Sequence, residues 1–345
     1  MPSPALDIVA IGGGTGLSTL LRGLKTYVGA GGPRSVGHLG AIVTVTDEGG
    51  SSGVLRKEFG MLPPGDIRNC IVALAEEEQL LSRLFSYRFD TDSALKGHSL
   101  GNLLLTAMTD ITGSFDNAVL AASEVLAIRG EIYPSTLEDV RLVATLEDGT
   151  RLGGEVAISG SLIGEEATTT VRHARITHLA IDPADAKPTD RALASLASAD
   201  LIVIGPGSLY TSVLPNLVIE PIAAALREAR ALRVYICNVM TQPNETDGYS
   251  AQDHLRAIVE HAGLVVDVMV MNGRRPSDAI LATYAAMNQV PVSCDLQQIR
   301  DLGVTPFFGD IIAEGDFVRH DHVALAQTIF QLYDHYGRTL ERMRK

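Results

Sequence analysis

Four glycines near the start of the chain have the residue type and spacing of an anion-binding turn. Gly12, Gly13, Gly14 and Gly16 separate the apolar run at residues 8–11 from a segment with leucines at helical spacing. Glycine permits close backbone approach, while the free N–H groups and the dipole of a helix N-terminus favour negative charge. The pattern therefore predicts a buried strand, a phosphate-binding turn and a helix.

The spacing of these glycines separates the known kinds of phosphate-binding turn. A nucleoside-triphosphate P-loop ends in Gly-Lys-Ser or Gly-Lys-Thr, whereas this loop has no lysine before Lys25. The dinucleotide fingerprint needs glycine where Leu17 stands, and no acidic residue ends the second predicted strand at the expected distance. The sequence thus argues against a P-loop and disfavours a standard NAD dehydrogenase. A glycine turn that only packs a helix against a strand stays an alternative.

Polar residues follow several other predicted strands and open other predicted helices. In a doubly wound sheet, the loops after the carboxyl ends of the strands gather over one crevice. Besides the glycine turn with its Thr15, the residues predicted to bind a ligand there are Asp47, Ser51, Ser52, Asp66, Asn69, His98, Asn102, Gly205, Gly207, Ser208, Asn238 and Asn272. The alternative for these residues is local: aspartates that cap helices, serines in a turn and a hydrogen-bonded structural histidine.

Composition limits the classes of protein to which the chain can belong. Its 345 residues are 46% apolar, enough for a sizeable core, and its formal net charge of -13 argues against a nucleic acid partner. The three cysteines, Cys70, Cys237 and Cys294, lack the spacing of a disulfide framework or a zinc site. Neither a basic leader nor an apolar run of about 18 residues is visible. We therefore expect a cytoplasmic protein with no membrane insertion.

The order of the predicted elements indicates an α/β fold. We predict a Rossmann-like, doubly wound, mainly parallel sheet interrupted by an antiparallel β insert. Residues 1–132 would form the first part of the nucleotide-binding core, residues 133–181 the insert, and residues 182–345 the second part of the core. Within the insert, strands over 140–146 and 150–159 would form a hairpin with an Asp-Gly turn, followed by a strand over 171–181. The insert would be a cap or the contact surface of a homodimer.

Several long motifs resemble one bacterial family. The strings IGGGTGLSTLLRGLK, VTDEGGSSGVLRKEFGMLPPGDIRN, GHSLGN, IGPGSLYTS and CNVMTQPNETDGYSAQDH occur in the order typical of the gluconeogenesis-factor family, also called the YvcK family. That family is similar to the 2-phospho-L-lactate transferases of the CofD-like superfamily. One departure is visible, since the second motif usually has two adjacent aspartates and this chain has Glu48 as the second acidic residue.

The resemblance implies a function as well as a fold. It implies a Rossmann-like, CofD-like core, a cytoplasmic location, and a role in cell shape and envelope metabolism during growth on gluconeogenic carbon sources. It also implies binding of a uridine-diphosphate sugar, with UDP-N-acetylglucosamine as the expected ligand. Tyr284 and Arg319 match a tyrosine and an arginine that family members use for this ligand. The protein partner in envelope synthesis stays unknown.

Two functions from different classes follow from these observations. The first, which we favour, is a non-enzymatic regulatory protein that binds a nucleotide sugar. The second is a CofD-like transferase that acts on a diphosphate-linked substrate, with Mg²⁺ held near Asp47 or Asp66 and with His98 as a base. Asp47, Asp66 and His98 are therefore the catalytic candidates, and Mg²⁺ is the cofactor candidate. The sequence gives the least support to a third hypothesis, an NAD(P)-linked enzyme.

Overall fold

Seven parallel strands form the central sheet. The computed structural model describes residues 5–31, 34–76, 80–90, 92–160 and 174–337. In spatial order the strands are β10 (Thr305–Gly309), β9 (Val268–Asn272), β8 (Leu232–Ile236), β7 (Leu201–Ile204), β1 (Leu6–Gly12), β2 (Val36–Val43) and β3 (Glu131–Pro134). Each neighbouring pair is parallel. The predicted doubly wound fold is confirmed, and its order reverses between β1 and β7.

Helices flank this sheet. They are α1 (Gly14–Leu24), α2 (Gly50–Phe59), α3 (Gly65–Leu74), α4 (Leu80–Ser86), α5 (Leu100–Thr112), α6 (Phe115–Val125), α7 (Glu155–Ser159), α8 (Asp190–Ser198), α9 (Leu214–Leu217), α10 (Glu220–Glu228), α11 (Ala251–Ala262), α12 (Asp278–Ala285), α13 (Leu296–Asp301) and α14 (His322–Leu332). A π-helical segment, Leu209–Val213, leads directly into α9. Because helices flank the sheet, strands such as β7 are apolar and buried at every position.

Helix α1 shows how the core fixes the start of the site. Leu17, Leu20, Leu21 and Leu24 recur at helical spacing and are fully buried. Burial of each leucine contributes roughly 1.5–3 kcal/mol. The helix packs on α3 and α14, and Gly23 lets it approach the backbone of α14, where a Cβ would overlap the carbonyl group of His322. The first turn of α1 is therefore held rigidly above the end of β1.

The antiparallel insert contains one helix where the sequence predicted strand. Its sheet consists of β5 (Arg151–Gly153), β4 (Arg141–Leu146) and β6 (Ile176–Asp182). The prediction of a strand over 150–159 is wrong after residue 153, because Gly154 adopts a φ of +88° and α7 begins at the next residue. Residues 171–173 of the third predicted strand lie outside the described residues. The division of the chain at residues 132 and 181 stays a prediction.

A second, two-stranded antiparallel sheet lies near the end of the chain. Strands β11 (Ile312–Glu314) and β12 (Val318–His320) pair as a hairpin just before α14.

Within the described ranges, no single helix has the length and apolar composition of a membrane span. The segments Leu209–Leu217 and Glu220–Glu228 have that length and composition when they are taken together, but a 75° bend separates them.

A buried histidine in α11 makes stability depend on pH. His254 is fully buried, and its Nδ1 donates to the carbonyl oxygen of Ser250 at 3.1 Å. Burial lowers the pKa of His254 from its ordinary value near 6.5 to about 4, because the charged imidazolium would lose its water. Below about pH 6.5 the unfolded chain takes up a proton that the folded chain refuses, so folding stability falls as pH drops towards 4.

We expect this histidine to cost about 2 kcal/mol of stability between about pH 7.5 and about pH 5. Urea denaturation of the unaltered chain and of His254→Gln at both pH values measures the effect, since the difference between the two chains isolates this residue. The variant should lose that much less stability on acidification. Parallel pH profiles for the two chains would contradict the prediction.

Candidate functional site

Two glycine turns meet at the reversal of the strand order. The turn after β1 contains Gly12 to Gly16, and the turn after β7 contains Gly205 to Ser208. A Cβ at Gly16 would overlap the carbonyl group of Pro206, and a Cβ at Gly207 would lie 3.1 Å from Cβ of Ser212. Gly14 has a φ of +62°, which favours glycine. The two turns therefore touch through the backbones of Gly16 and Pro206, and the Cβ position of Gly12 lies 3.8 Å from Cα of Gly205.

A fully buried asparagine joins the first turn to the π-helical segment that follows the second turn. Asn216 of α9 donates from Nδ2 to the carbonyl oxygen of Gly12 at 3.2 Å and to that of Ser212 at 2.9 Å. The first of these partners lies 204 positions away in the chain. Sequence reasoning missed Asn216 because it stands among apolar residues and follows no strand.

We expect Asn216→Ala to lower the free energy of unfolding by about 2 kcal/mol, because buried hydrogen bonds and packing volume are lost together. We also expect weaker ligand binding, since the first turn would lose its hydrogen bond to the segment that follows the second turn. Urea denaturation and calorimetry measure the two effects. The control is Asn117→Ala, which removes an exposed amide from α6. Wild-type stability and affinity in Asn216→Ala would show that the turns keep their places without this residue.

A cavity of about 400 Å³ opens beside the two turns. The predicted site residues in its wall are Gly13, Gly14, Thr15, Gly16, Gly207, Ser208, Asn238, Tyr284 and Arg319. A second cavity of about 270 Å³ shares Asn238 and Val239 with the first. Asn272 lines this second cavity rather than the first. The fold thus brings residues from the whole length of the chain to one edge of the sheet.

One side of the first cavity is formed by α12 and the β11–β12 hairpin. Tyr284 of α12 donates its hydroxyl hydrogen to the carbonyl oxygen of Val318 at 3.3 Å, and its ring meets that of Phe317 edge-on at 6.0 Å. Burial raises the pKa of Tyr284, so the phenol stays a neutral donor. Arg319 follows on β12 with an exposed side chain. These contacts hold Tyr284 and Arg319 on the same wall.

A group of carboxylates lies next to the first glycine turn. A Cβ at Gly13 would lie 2.5 Å from Oδ2 of Asp66, and one at Gly65 would lie 2.5 Å from Oδ2 of Asp47. Loss of water and the negative charge of Asp47 raise the pKa of Asp66 to about 7, against the opposing effects of the Gly14 N–H group and Arg68. Asp47 and Asp66 are therefore neighbours, as the crevice hypothesis expected.

The insert adds a third carboxyl group that the sequence analysis missed. Glu155, the first residue of α7, accepts the backbone N–H of Glu48 at 3.2 Å. Loss of water, followed by the charges of Asp47 and Asp66, raises the pKa of Glu155 to about 9. The sequence carries no pattern that singles out Glu155, and its segment was predicted as a strand of the insert.

Glu48, which follows β2 of the core, forms an ion pair with Arg141 of the insert. Its Oε1 lies 3.3 Å from Nε of Arg141 and 3.8 Å from Nη1 of Arg56, and its carboxylate packs against Gly154. Arg56 also donates to the carbonyl oxygen of Val140 at 2.6 Å. The longer side chain that departs from the family motif thus reaches Arg141 of β4 and Gly154, which lies between β5 and α7.

The remaining predicted residues lie apart from both cavity walls. Ser51 contacts Nδ1 of His98 at 3.0 Å and accepts from Nδ2 of Asn102 at 3.2 Å. The buried Ser52 lies beside Asp47, since its Oγ is 2.5 Å from the Cβ position of Gly65. Asn69 accepts from Nη2 of Arg68 at 2.8 Å. The structure therefore groups Ser51, His98 and Asn102 together, and their roles as ligand contacts stay predictions.

The carboxylates near the turn fit a magnesium ion that also binds phosphate. Mg²⁺ is usually held by one or two carboxylates together with substrate phosphates. Asp66 supplies one carboxylate beside the first glycine turn, and Asp47 supplies a second one close to Asp66. Among the described residues, no group of three or more His, Cys, Asp or Glu side chains has the arrangement of a metal site. The protein groups suit an ion that arrives with its phosphate ligand.

Known proteins resemble the chain over nearly its whole length. A family model described as 2-phospho-L-lactate transferase CofD matches residues 8–312. The "Putative gluconeogenesis factor" of Aquifex aeolicus is 47% identical over 332 residues, which cover 95% of this chain and 97% of the relative. The "Gluconeogenesis factor" of Halalkalibacterium halodurans is 45% identical, with 94% and 96% covered. A crystal structure of a Bacillus halodurans protein has a TM-score of 0.86 at 44% identity and covers 95% of this chain and 100% of its own.

These matches confirm the resemblance that the motifs indicated. From the family model and these relatives, the chain belongs to the CofD family.

Proposed function

We propose that the chain is a regulatory protein that binds a nucleoside-diphosphate sugar, with UDP-N-acetylglucosamine as the ligand. Its role would lie in the cytoplasm, in the control of cell shape and envelope synthesis during growth on gluconeogenic carbon sources. The observation that carries the proposal is the joint placement of two glycine turns, Tyr284 and Arg319 around one cavity.

The charges of this cavity suit a diphosphate. The N-terminus of α1 attracts negative charge, as the hydrogen bond from the Gly14 N–H group to Asp66 illustrates, and Arg319 adds a planar cation that can bind two phosphate oxygens. Together the two cavities, of about 400 and 270 Å³, fall in the ordinary size range of small-ligand sites. A nucleotide sugar could therefore span both while its diphosphate contacts the turns.

Isothermal calorimetry of the purified chain with UDP-N-acetylglucosamine, followed by mass spectrometry of the mixture, tests the proposal. We expect saturable binding and an unchanged ligand, with and without Mg²⁺. Free N-acetylglucosamine is the control and should bind far more weakly, because it lacks the diphosphate. Absence of binding to any UDP-sugar would contradict the proposal.

A second candidate function is metal-dependent transfer, because two carboxylates lie beside the phosphate-binding turn. In this reaction an acceptor hydroxyl would attack the phosphorus atom farther from the nucleoside, and the bond from that phosphorus to the bridging oxygen would break. The nucleoside monophosphate would leave, and the hydroxyl proton would pass to water. Asp47 and Asp66 would hold Mg²⁺, which would neutralise charge on the phosphates. Turnover that requires Mg²⁺ and disappears in Asp47→Asn would support this function. Inactivity over a broad panel of donors and acceptors would count against it.

We also propose a homodimer that forms through the antiparallel insert, whose sheet is small and lies outside the central sheet. Light scattering of the purified chain measures the mass in solution. A monomer at all concentrations would contradict this assembly.

A further inference from the structure

A short chain of polar side chains runs along the wall between the two cavities. Gln242 donates from Nε2 to Oγ of Ser208 at 2.8 Å, and its Oε1 accepts from Nδ2 of Asn238 at 2.9 Å. The nitrogen and the oxygen of the Gln242 amide therefore each make a hydrogen bond. With the amides in this orientation, the Ser208 hydroxyl keeps its hydrogen for another acceptor, and Asn238 keeps Oδ1 for another donor.

The free acceptor stands at the junction of the cavities. Oδ1 of Asn238 is buried and has no hydrogen-bond partner within the described part of the chain. An unsatisfied buried polar atom costs about 1–3 kcal/mol, and such atoms in native proteins usually meet a water molecule or a ligand. Asn238 lines both cavities, so a ligand that occupies both of them lies next to this side chain.

The cavity beyond Asn238 suits a flat ring. Its wall contains the apolar side chains of Met271, Pro291, Val292 and Phe308, and the guanidinium groups of Arg274 and Arg275 in the same wall are paired with Asp310 and Asp278. The first cavity, in contrast, contains the glycine turns and Ser208, which suit phosphate oxygens. A nucleotide that follows this division of polarity places its base in the second cavity and its diphosphate in the first.

We propose that Asn238 recognises the nucleobase: its Oδ1 accepts a hydrogen bond from a ring N–H of the base, which lies in the second cavity, while the Ser208 hydroxyl donates to the diphosphate. This inference rests on the proposed function and adds the orientation of the ligand. For a uracil base the group concerned is N3–H. Gln242 is then a positioning residue, because it fixes the orientation of both partners.

A ligand without this N–H should bind poorly. Methylation of N3 removes the donor and leaves Oδ1 of Asn238 unpaired against a methyl group. Sites built to hydrogen-bond a ligand group reject analogues that lack it, because their buried polar atoms are then unsatisfied. At about 1.4 kcal/mol for each factor of ten, the cost of one unpaired acceptor corresponds to about tenfold in affinity or more.

Calorimetry with UDP and with N3-methyl-UDP, on the unaltered chain and on Asn238→Ala, tests the inference. We expect the unaltered chain to bind UDP at least about tenfold more tightly than N3-methyl-UDP. We expect Asn238→Ala to bind both ligands weakly and with nearly equal affinity, because the group that distinguishes them is gone. The comparison on the unaltered chain needs no variant and is therefore independent of the variant's folding.

The outcomes separate this inference from the proposed function. If the unaltered chain binds both ligands equally well, the base does not donate to Asn238 and the inference is wrong, while the proposed function stands. The opposite orientation of both amides would give this result, since Asn238 would then present a donor. Discrimination that persists in Asn238→Ala would overturn the inference as well. If neither UDP nor a UDP-sugar binds, the proposed function fails and the inference falls with it.

Discussion

Gly16→Ala is expected to weaken ligand binding at least about a hundredfold and to lower the free energy of unfolding by about 3 kcal/mol. The added Cβ would overlap the carbonyl group of Pro206 and lie 3.0 Å from the backbone nitrogen of Gly207. Backbone atoms cannot rotate out of the way as a flexible side chain can, so the turns after β1 and β7 must separate. Urea denaturation and calorimetry with UDP-N-acetylglucosamine measure the two effects.

The matched control for this substitution is Gly31→Ala. Apart from the chain neighbours of Gly31, no described residue has an atom within 4 Å of its Cβ position, so the added methyl group meets open space there. Its stability should stay within about 0.5 kcal/mol of the unaltered chain. Circular dichroism of Gly16→Ala distinguishes a local separation of the turns from loss of the fold. Unchanged affinity and stability in Gly16→Ala would show that the close contact of the turns is not needed.

The central sheet was predictable because its signals are local. Continuous apolar runs such as residues 8–11 and 201–204 are typical of strands buried on both faces, and the leucines of α1 repeat at helical spacing. Helix α7 was not predictable in this way, since five residues give no periodic signal and its neighbours are strands. The positive φ of Gly154 decides where the strand ends, and the presence of a glycine in the sequence does not by itself predict a positive φ.

The candidate site was predictable where residues follow the strands of the sheet. The glycine turns, Ser208 and Asn238 lie together because the carboxyl ends of parallel strands share one edge. Tyr284 and Arg319 came from family resemblance, and the structure places both in the wall of the same cavity. Physical reasoning from the sequence could not have paired them, because they come together through the contacts of α12 with Phe317 and β12.

Two residues next to the site were missed for a related reason. Glu155 contacts the backbone of Glu48 from 107 positions away, and Asn216 contacts Gly12 from 204 positions away. Each contact depends on how a separate segment packs on the core. A glutamate at the start of a short helix and an asparagine inside an apolar segment carry no local pattern that indicates such a contact.

Arg319→Ala is expected to weaken binding of UDP-N-acetylglucosamine about thirtyfold, which corresponds to about 2 kcal/mol. A guanidinium group can bind two diphosphate oxygens at once, whereas an ammonium group acts as a single point charge. Arg319→Lys should therefore recover part of the lost affinity but not all of it. Calorimetry at two salt concentrations measures this, because the affinity of the unaltered chain should fall more steeply with salt than that of the alanine variant.

The exposure of Arg319 makes the interpretation of this variant direct. Since the side chain is exposed, its removal should leave the free energy of unfolding within about 0.5 kcal/mol of the original value. Arg300→Ala, on α13 and outside the walls of both cavities, removes the same charge elsewhere and should keep full affinity. Equal losses in both variants would indicate an effect of net charge alone. A loss confined to Arg319→Ala would instead support the proposal that the diphosphate lies between the glycine turns and β12.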